Sequence, residues 1–510
     1  MTQGDGADNT GTPPDSSERL SSRSAVNAFH YLLQMGAGSL LPLATLPIVT
    51  HALGPAEVGL FALALTWSTV TMSLATFGTL LGYERTYFLH EGDREASSDL
   101  LVTAWIAASA AMALTWLAVF VADADLSRVL LGETAGGNLL LTVLAARGLS
   151  RSSGYYLAYL KNHGDALTYS RVALVEPAVN AVGILYWVGY VQAGVSGLAF
   201  AALGAGVAQW IIALVGQLRL GLGRPRWGML REIASVAIPL SPRTLVGAIG
   251  GHFDKVMLGM LGDMGALGVY SIAQRLAYAV FVFMTALDRV FQPELYRRLF
   301  RGDRLRGTGD FLVPYAYIST LAALMTLLFS EEAFALLMPP EYGAGVDLVA
   351  VLALYYALLF LGKVASTQLI FAKRALWTSG ISVVAVVLNV AFNVPLISAF
   401  GAMGAAVATL AAGCVSQAAL ATAARRCARI DWRVGRVASM YGVLLLSSLA
   451  VLSSRSLIYD AWQLRLLMRL ALLAGYLWLG RSIGLVTWAR LRGLWTSSTE
   501  AMRDQVSVRR

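Results

Sequence analysis

Apolar residues run along this chain in windows of about twenty, separated by short polar connections. That is the length a helix needs to cross a bilayer. The windows predict helices over 27–50, 57–83, 100–121, 137–160, 172–191 and 197–218, then over 237–262, 268–291, 313–337, 346–370, 377–398, 402–424, 437–454 and 464–484. About fourteen spans place both termini on one side of the membrane and leave no room for a soluble domain. Residues 1–24 are polar and rich in Gly, Ser and Pro, which predicts a disordered tail. The tail lacks the basic start and small-residue cleavage site of a signal peptide, so it is expected to stay in the cytoplasm.

Composition sharpens this picture. Of 510 residues, 57% are hydrophobic and only 14% are charged, against roughly 25% charged in a typical soluble chain. The fold class is therefore all-α and polytopic. Cys414 lies in an apolar segment and Cys427 in a basic one, which suggests no disulfide framework. The net charge of +9 does not point to nucleic acid, because the arginines lie between apolar windows and not in one basic domain.

Those arginines orient the chain. Connections after even-numbered helices carry Arg85 and Arg94, Lys161 and Arg171, Arg219 to Arg231, Arg297 to Arg306, Lys373 and Arg374, and Arg425 to Arg436. The odd connections among the first twelve helices are nearly free of Lys and Arg, Arg128 being the clear exception. Both termini and the even connections are expected in the cytoplasm, facing anionic membrane lipids. Arg455, Arg465 and Arg469 break the pattern, since they fall on the expected outer side.

The chain also repeats itself. GPAEVGLFALA at 54–64 matches GDMGALGVYSIA at 262–273, and LHEGDREAS at 89–97 matches LFRGDRLRG at 299–307. Residues 176–206 echo 386–413, with Asn180 and Asn389 in register, again about 209 residues apart. A parallel repeat implies two six-helix lobes with a cleft between them, the plan of an alternating-access transporter. The expected domains are the tail 1–24, lobes at 25–219 and 232–424, two additional helices at 437–484, and a cytoplasmic tail at 485–510.

Ionisable residues inside the apolar windows mark the candidate site. In the fourth helix Arg147, Arg151 and Tyr155 share one face, and Arg147 lies roughly 15 Å in, near mid-membrane. Two cations with no carboxylate in their own helix need water, an anion or a partner elsewhere; snorkelling suits Arg151 better than Arg147. In the seventh helix Arg243 precedes GHFDKVMLGML, which holds His252, Asp254 and Lys255, and Arg275 lies at similar outer depth in the eighth. Asp254 pairs either with Arg275 or with Lys255, or the group acts as a gate or ion-coupling element, His252 titrating near neutral pH. Lys363 can reach an inward-facing cavity, and Asp288 and Arg289 suit interfacial pairing. Glu176, read as the start of the fifth helix, is assigned to Arg171 or to the helix terminus. No catalytic or metal-binding signature is present in the sequence, which argues against an enzyme.

Four stretches, taken in order, resemble a known family: residues 53–78, 253–276, 339–356 and 388–409. The family is the polysaccharide-biosynthesis flippases, Wzx type, of the multidrug/oligosaccharidyl-lipid/polysaccharide exporter superfamily. Asp254, Gly268 and Tyr270 match its pattern in the second lobe. The resemblance implies export of an undecaprenyl-diphosphate-linked glycan across the bacterial inner membrane, driven by a proton or sodium gradient without a cofactor. It also implies polymerase and glycosyltransferase machinery as working partners. The substrate-binding candidates are Arg147, Arg151, Tyr155, Arg243 and Lys363; the gating or coupling candidates are His252, Asp254, Lys255 and Arg275. Two rivals remain: a lipid-linked peptidoglycan precursor flippase, which shares the cationic logic, and a drug exporter of the same superfamily, for which carboxylates would serve better.

Overall fold

A computed structural model describes residues 34, 36–90, 92–132, 138–221, 223–261, 263–300, 307–427, 430–457 and 461–484. The expected tails at 1–24 and 485–510 lie outside the described residues. Among the described residues every regular element is a helix. The first half holds α1 (Leu46–Ala52), α2 (Pro55–Thr76), α3 (Thr79–Tyr87), α4 (Arg94–Val121), α5 (Asp123–Leu131), α6 (Leu139–His163), α7 (Ala166–Ile184, continued as a π-helical turn Leu185–Tyr190) and α8 (Gly194–Leu220). The second half holds α9 (Trp227–Gly250), α10 (Phe253–Leu261), α11 (Met264–Phe300), α12 (Thr308–Leu328), α13 (Ser330–Leu337), α14 (Gly345–Phe371), α15 (Ala375–Cys427), α16 (Val434–Leu457) and α17 (Trp462–Ser482). Nine helices among the described residues are long and apolar enough to cross a membrane. The protein is an all-α, multi-pass membrane protein.

Local chemistry sets the helix ends. Pro55 opens α2, and the Glu57 carboxylate accepts the Gly54 N–H at 3.1 Å. Asp93 and Asp165 cap α4 and α7, each accepting a backbone N–H at 3.0 Å. Three apolar windows that read as single helices are broken. Phe77 (φ 44°) and Gly78 (φ 69°) take left-handed conformations and separate α2 from α3. The chain also breaks at Gly251–His252, between α9 and α10, and at Phe329, between α12 and α13. Conversely, α15 spans 53 residues, about 80 Å of helix, and is bent at Gly401 (φ 55°, ψ −132°) into two arms. Hydropathy reports burial in lipid, not backbone continuity, so it registers none of the first three breaks; the bend at Gly401 does fall in the gap between the windows 377–398 and 402–424.

Small residues let the helices touch. A Cβ on Gly206 of α8 would lie 2.8 Å from the Ala146 carbonyl of α6, and one on Gly183 of α7 would lie 2.9 Å from Ala201 of α8. Across the two halves, Gly59 of α2 faces Gly268 of α11 backbone to backbone. A Cβ on Gly59 would fall 1.9 Å from the Met264 carbonyl, and a Cβ on Gly268 would fall 1.9 Å from the Pro55 carbonyl. The Tyr342 hydroxyl donates to the Leu53 carbonyl at 2.9 Å near the same end. At the opposite end α9 packs on α3, where Gly82 approaches the Ile233 carbonyl.

The last two helices dock on the second half. α16 packs against α12 and α14, and α17 against α12 and α16. Tyr476 stacks on Tyr317 at 4.8 Å. The three arginines that break the orientation pattern are all neutralised: Arg455 lies 2.9 Å from Asp347, Arg465 lies 2.8 Å from Glu331, and the buried Arg469 bridges Glu331 and Glu332.

Candidate substrate cavity

The fourth apolar window folds as α6, and the spacing of its arginines puts them on one face. Arg147 Nη1 lies 3.7 Å from Glu176 Oε1 of α7, and the Ser150 hydroxyl donates to the same oxygen at 3.0 Å. Glu176 therefore serves Arg147, not Arg171 or a helix end. Asp165 starts α7 six residues earlier than the hydropathy suggests, which moves Glu176 about 15 Å into the helix and level with Arg147. Arg151 reaches across to α2, donating from Nη2 to the Ser73 hydroxyl at 2.6 Å. A cavity of about 450 Å³ opens beside this pair, lined by Arg147, Ser150, Glu176 and Asn180 with Gln34 and Ser39.

Tyr155 does not join this cavity. It is 1% exposed, its hydroxyl is 2.5 Å from the Thr79 hydroxyl, and its ring packs on Tyr83 at 6.0 Å. The helical face turns inward at this point, so Tyr155 acts as a packing residue between α6 and α3. Lys363 is 3.4 Å from the buried Asp288 of α11 and lines neither this cavity nor the one described next. The side chain of Arg243 lies outside the described residues.

The remaining candidates converge on Arg147 from the other half. Arg275 of α11 and His252, at the α9–α10 break, both lie within electrostatic reach of Arg147, and His252 also within reach of Arg151. Lys255 is within reach of His252 and Arg275. These side chains influence one another electrostatically across the two halves, and of them Arg147 lines the first cavity together with Glu176, while Asp254 belongs to a second one.

Asp254 takes part in no ion pair among the described residues; neither the Lys255 ammonium nor the Arg275 guanidinium lies within salt-bridge distance of its carboxylate. It is 5% exposed and accepts from the Tyr270 hydroxyl at 2.5 Å, from the Lys255 backbone N–H at 2.9 Å and from Gln274 at 3.4 Å. Beyond it the Asn393 amide donates to Asn389 at 2.9 Å, and Asn389 to Thr409 at 3.3 Å. A second cavity of about 350 Å³ holds Asp254, Gln274, Tyr278, Tyr356, Asn389 and Gln417 among its lining residues. Sequence reasoning missed the amides, because polar uncharged residues in apolar helices carry no depth signal of their own. Among the described residues no three His, Cys, Asp or Glu side chains converge as a metal site would require.

Comparison with known proteins identifies the family and the fold. Residues 24–293, just over half the chain, match the family described as "Polysaccharide biosynthesis protein". The "Probable low-salt glycan biosynthesis flippase Agl15" of Haloferax volcanii is 24% identical over 200 residues, covering 36% of this chain and 42% of that protein. The aligned region thus spans less than half of the relative's length. Among solved structures, a "Lipid II flippase MurJ, inward closed conformation" superposes with TM-score 0.66 at 11% identity, over 90% of this chain and 99% of that one. An inward-facing multidrug resistance MATE family transporter of the MOP superfamily superposes with TM-score 0.63 at 15% identity, over 80% and 95% of the two chains. At these identities the superpositions establish the fold, and the family match establishes the lineage. The chain belongs to the polysaccharide biosynthesis protein family.

Proposed function

We propose that the protein moves an undecaprenyl-diphosphate-linked oligosaccharide from the inner to the outer leaflet of a bacterial cytoplasmic membrane, for synthesis of a surface polysaccharide. The observation that carries this reading is an excess of cations inside the helices: Arg147 lines the first cavity with Arg151 one turn along the same helix, and His252 and Arg275 of the other half lie within electrostatic reach of Arg147. Arg147 has the Glu176 carboxylate and Arg151 the neutral Ser73 hydroxyl, which leaves positive charge in excess. Such an excess at this depth is costly unless an anion or water compensates it, and a lipid diphosphate supplies that anion through charge-assisted hydrogen bonds. The isoprenoid tail remains in lipid while the diphosphate and sugars occupy the cavity.

Two six-helix lobes at 25–219 and 232–424, rocking about their contact, provide the motion. The reciprocal approach of Gly59 and Gly268, 209 positions apart in the repeat, supports this arrangement. It closes the end of the molecule assigned to the outer leaflet. Fourteen crossings with both termini in the cytoplasm fit the distribution of Lys and Arg over the first twelve helices, with Arg128, Arg455, Arg465 and Arg469 as its exceptions. Asp254, hydrogen-bonded but without a cationic partner, is suited to take up the proton or sodium ion that drives the cycle. Polymerase and glycosyltransferase partners would act on either side of this step.

Reconstitution tests the reading. In proteoliposomes carrying a fluorescent undecaprenyl-diphosphate sugar, the full chain should move label between leaflets when a proton or sodium gradient is imposed. Absence of movement under both gradients would refute it. Running a peptidoglycan precursor beside a surface-polysaccharide unit separates the two lipid-diphosphate substrates.

A further inference from the structure

The two cavities occupy corresponding places in the repeat but differ in chemistry. Adding 209 to Ala146, Arg147 and Asn180 gives Tyr355, Tyr356 and Asn389. In each half a glycine of the sixth apolar window permits the contact. Gly206 approaches Ala146 and Gly413 approaches the Tyr355 ring, where an added Cβ would lie 2.8 and 2.7 Å away respectively. The first cavity presents an arginine. The second has no Lys or Arg in its lining, and it replaces that arginine with tyrosine.

We propose that the second cavity is the subsite that reads the sugars, the diphosphate being held by the arginines of the first half. This rests on the lipid-diphosphate reading above. A pyranose has an apolar C–H face and a rim of hydroxyls, so it asks for aromatic rings beside neutral hydrogen-bonding groups. Tyr278, Phe281, Tyr355 and Tyr356 provide the rings, and Gln274 and Asn389 the amides. Tyr278 stands at 83° to Tyr356 with centroids 5.8 Å apart, and it is 46% exposed, so a ring face is available. At about 350 Å³ the cavity is within the range of small-ligand sites. Asp254 at its wall repels a diphosphate, which keeps the two ends of the headgroup in order.

The test uses the full chain in nanodiscs with two probes: undecaprenyl diphosphate, and the same lipid bearing one N-acetylglucosamine. The wild type should bind the sugar-bearing lipid more tightly. Tyr278→Leu should weaken that lipid about 3- to 10-fold, from the loss of one aromatic contact, and leave bare undecaprenyl diphosphate unchanged. Tyr278→Phe should restore most of the difference, and Arg147→Ala should weaken both lipids alike. Equal binding of the two lipids by the wild type, or equal effects of Tyr278→Leu on both, would overturn the sugar subsite. Failure of the wild type to bind bare undecaprenyl diphosphate would instead sink the diphosphate reading.

Discussion

Replacing Glu176 with glutamine should tighten diphosphate binding, whereas replacing Arg147 with alanine should weaken it. The charges are 3.7 Å apart, so their attraction is about 1 kcal/mol in water and about 4 kcal/mol at an effective dielectric of 20. Both side chains are about one-third exposed to the cavity, at 38% and 33%. Solvent screening and side-chain ordering then bring the net value to roughly 0.5–1 kcal/mol. Glu176→Gln keeps an oxygen for the Ser150 hydroxyl and removes only the charge. Arg147, released from that competition, should bind an anionic headgroup about 2- to 5-fold more tightly. Arg147→Ala removes a charge-assisted contact of roughly 1.5–3 kcal/mol, hence about 10- to 100-fold in affinity. The assay is equilibrium binding of sugar-free undecaprenyl diphosphate in nanodiscs at two salt concentrations. If Glu176→Gln weakens binding as Arg147→Ala does, the carboxylate serves to position Arg147, and the competition argument is wrong.

Five further outcomes follow from the same geometry. Asp254→Asn should retain lipid binding but lose acceleration of transport by an imposed proton or sodium gradient; an unchanged gradient response would remove Asp254 from coupling. Gly268→Leu should force α2 and α11 apart and abolish transport, with a cysteine placed at Leu63 newly reactive to an impermeant thiol reagent; wild-type transport would contradict the close contact. Arg469→Met leaves Glu331 and Glu332 without their shared cation and should lower stability by roughly 3 kcal/mol in thermal unfolding. Burial pushes the Glu331 carboxyl up, but hydrogen bonds and charge from Arg469 and Arg465 outweigh it and hold the carboxyl below its ordinary value. Its contribution is complete above that ordinary value and is lost as pH falls through the depressed one, so the acid-side loss of stability should be blunted in Glu331→Gln. Tyr155→Phe should lose about 1 kcal/mol of stability with lipid binding unaffected, and a selective loss of binding would return Tyr155 to the cavity.

Much of the candidate site was legible as a set of residues and not as a set of partners. Arg147, Arg151, Asp254 and Arg275 stood out because charge in an apolar window is rare and expensive. Helical spacing correctly put Arg147 and Arg151 on one face. The same spacing misled at Tyr155, since sharing a face with Arg151 does not say what covers the next turn; α3, created by the break at Phe77–Gly78, covers it. Glu176 was misassigned because a hydropathy window starts where the apolar residues start, while the helix starts at its cap, Asp165. The inter-helix pairs of Arg455, Arg465 and Arg469 were invisible for the same reason that they matter: their carboxylates are far away in sequence.

The sequence by itself determined the all-α membrane class, the places where apolar helices run, and the family, because lipid imposes length and hydropathy on each segment independently of its neighbours. Only the tertiary structure decided that three of those windows break, that Arg147 answers to Glu176, and that among the described residues Asp254 is held by hydrogen bonds outside any ion pair. These are contacts between segments that the chain brings together only by packing. Packing against a particular neighbour leaves no periodic trace in either segment alone.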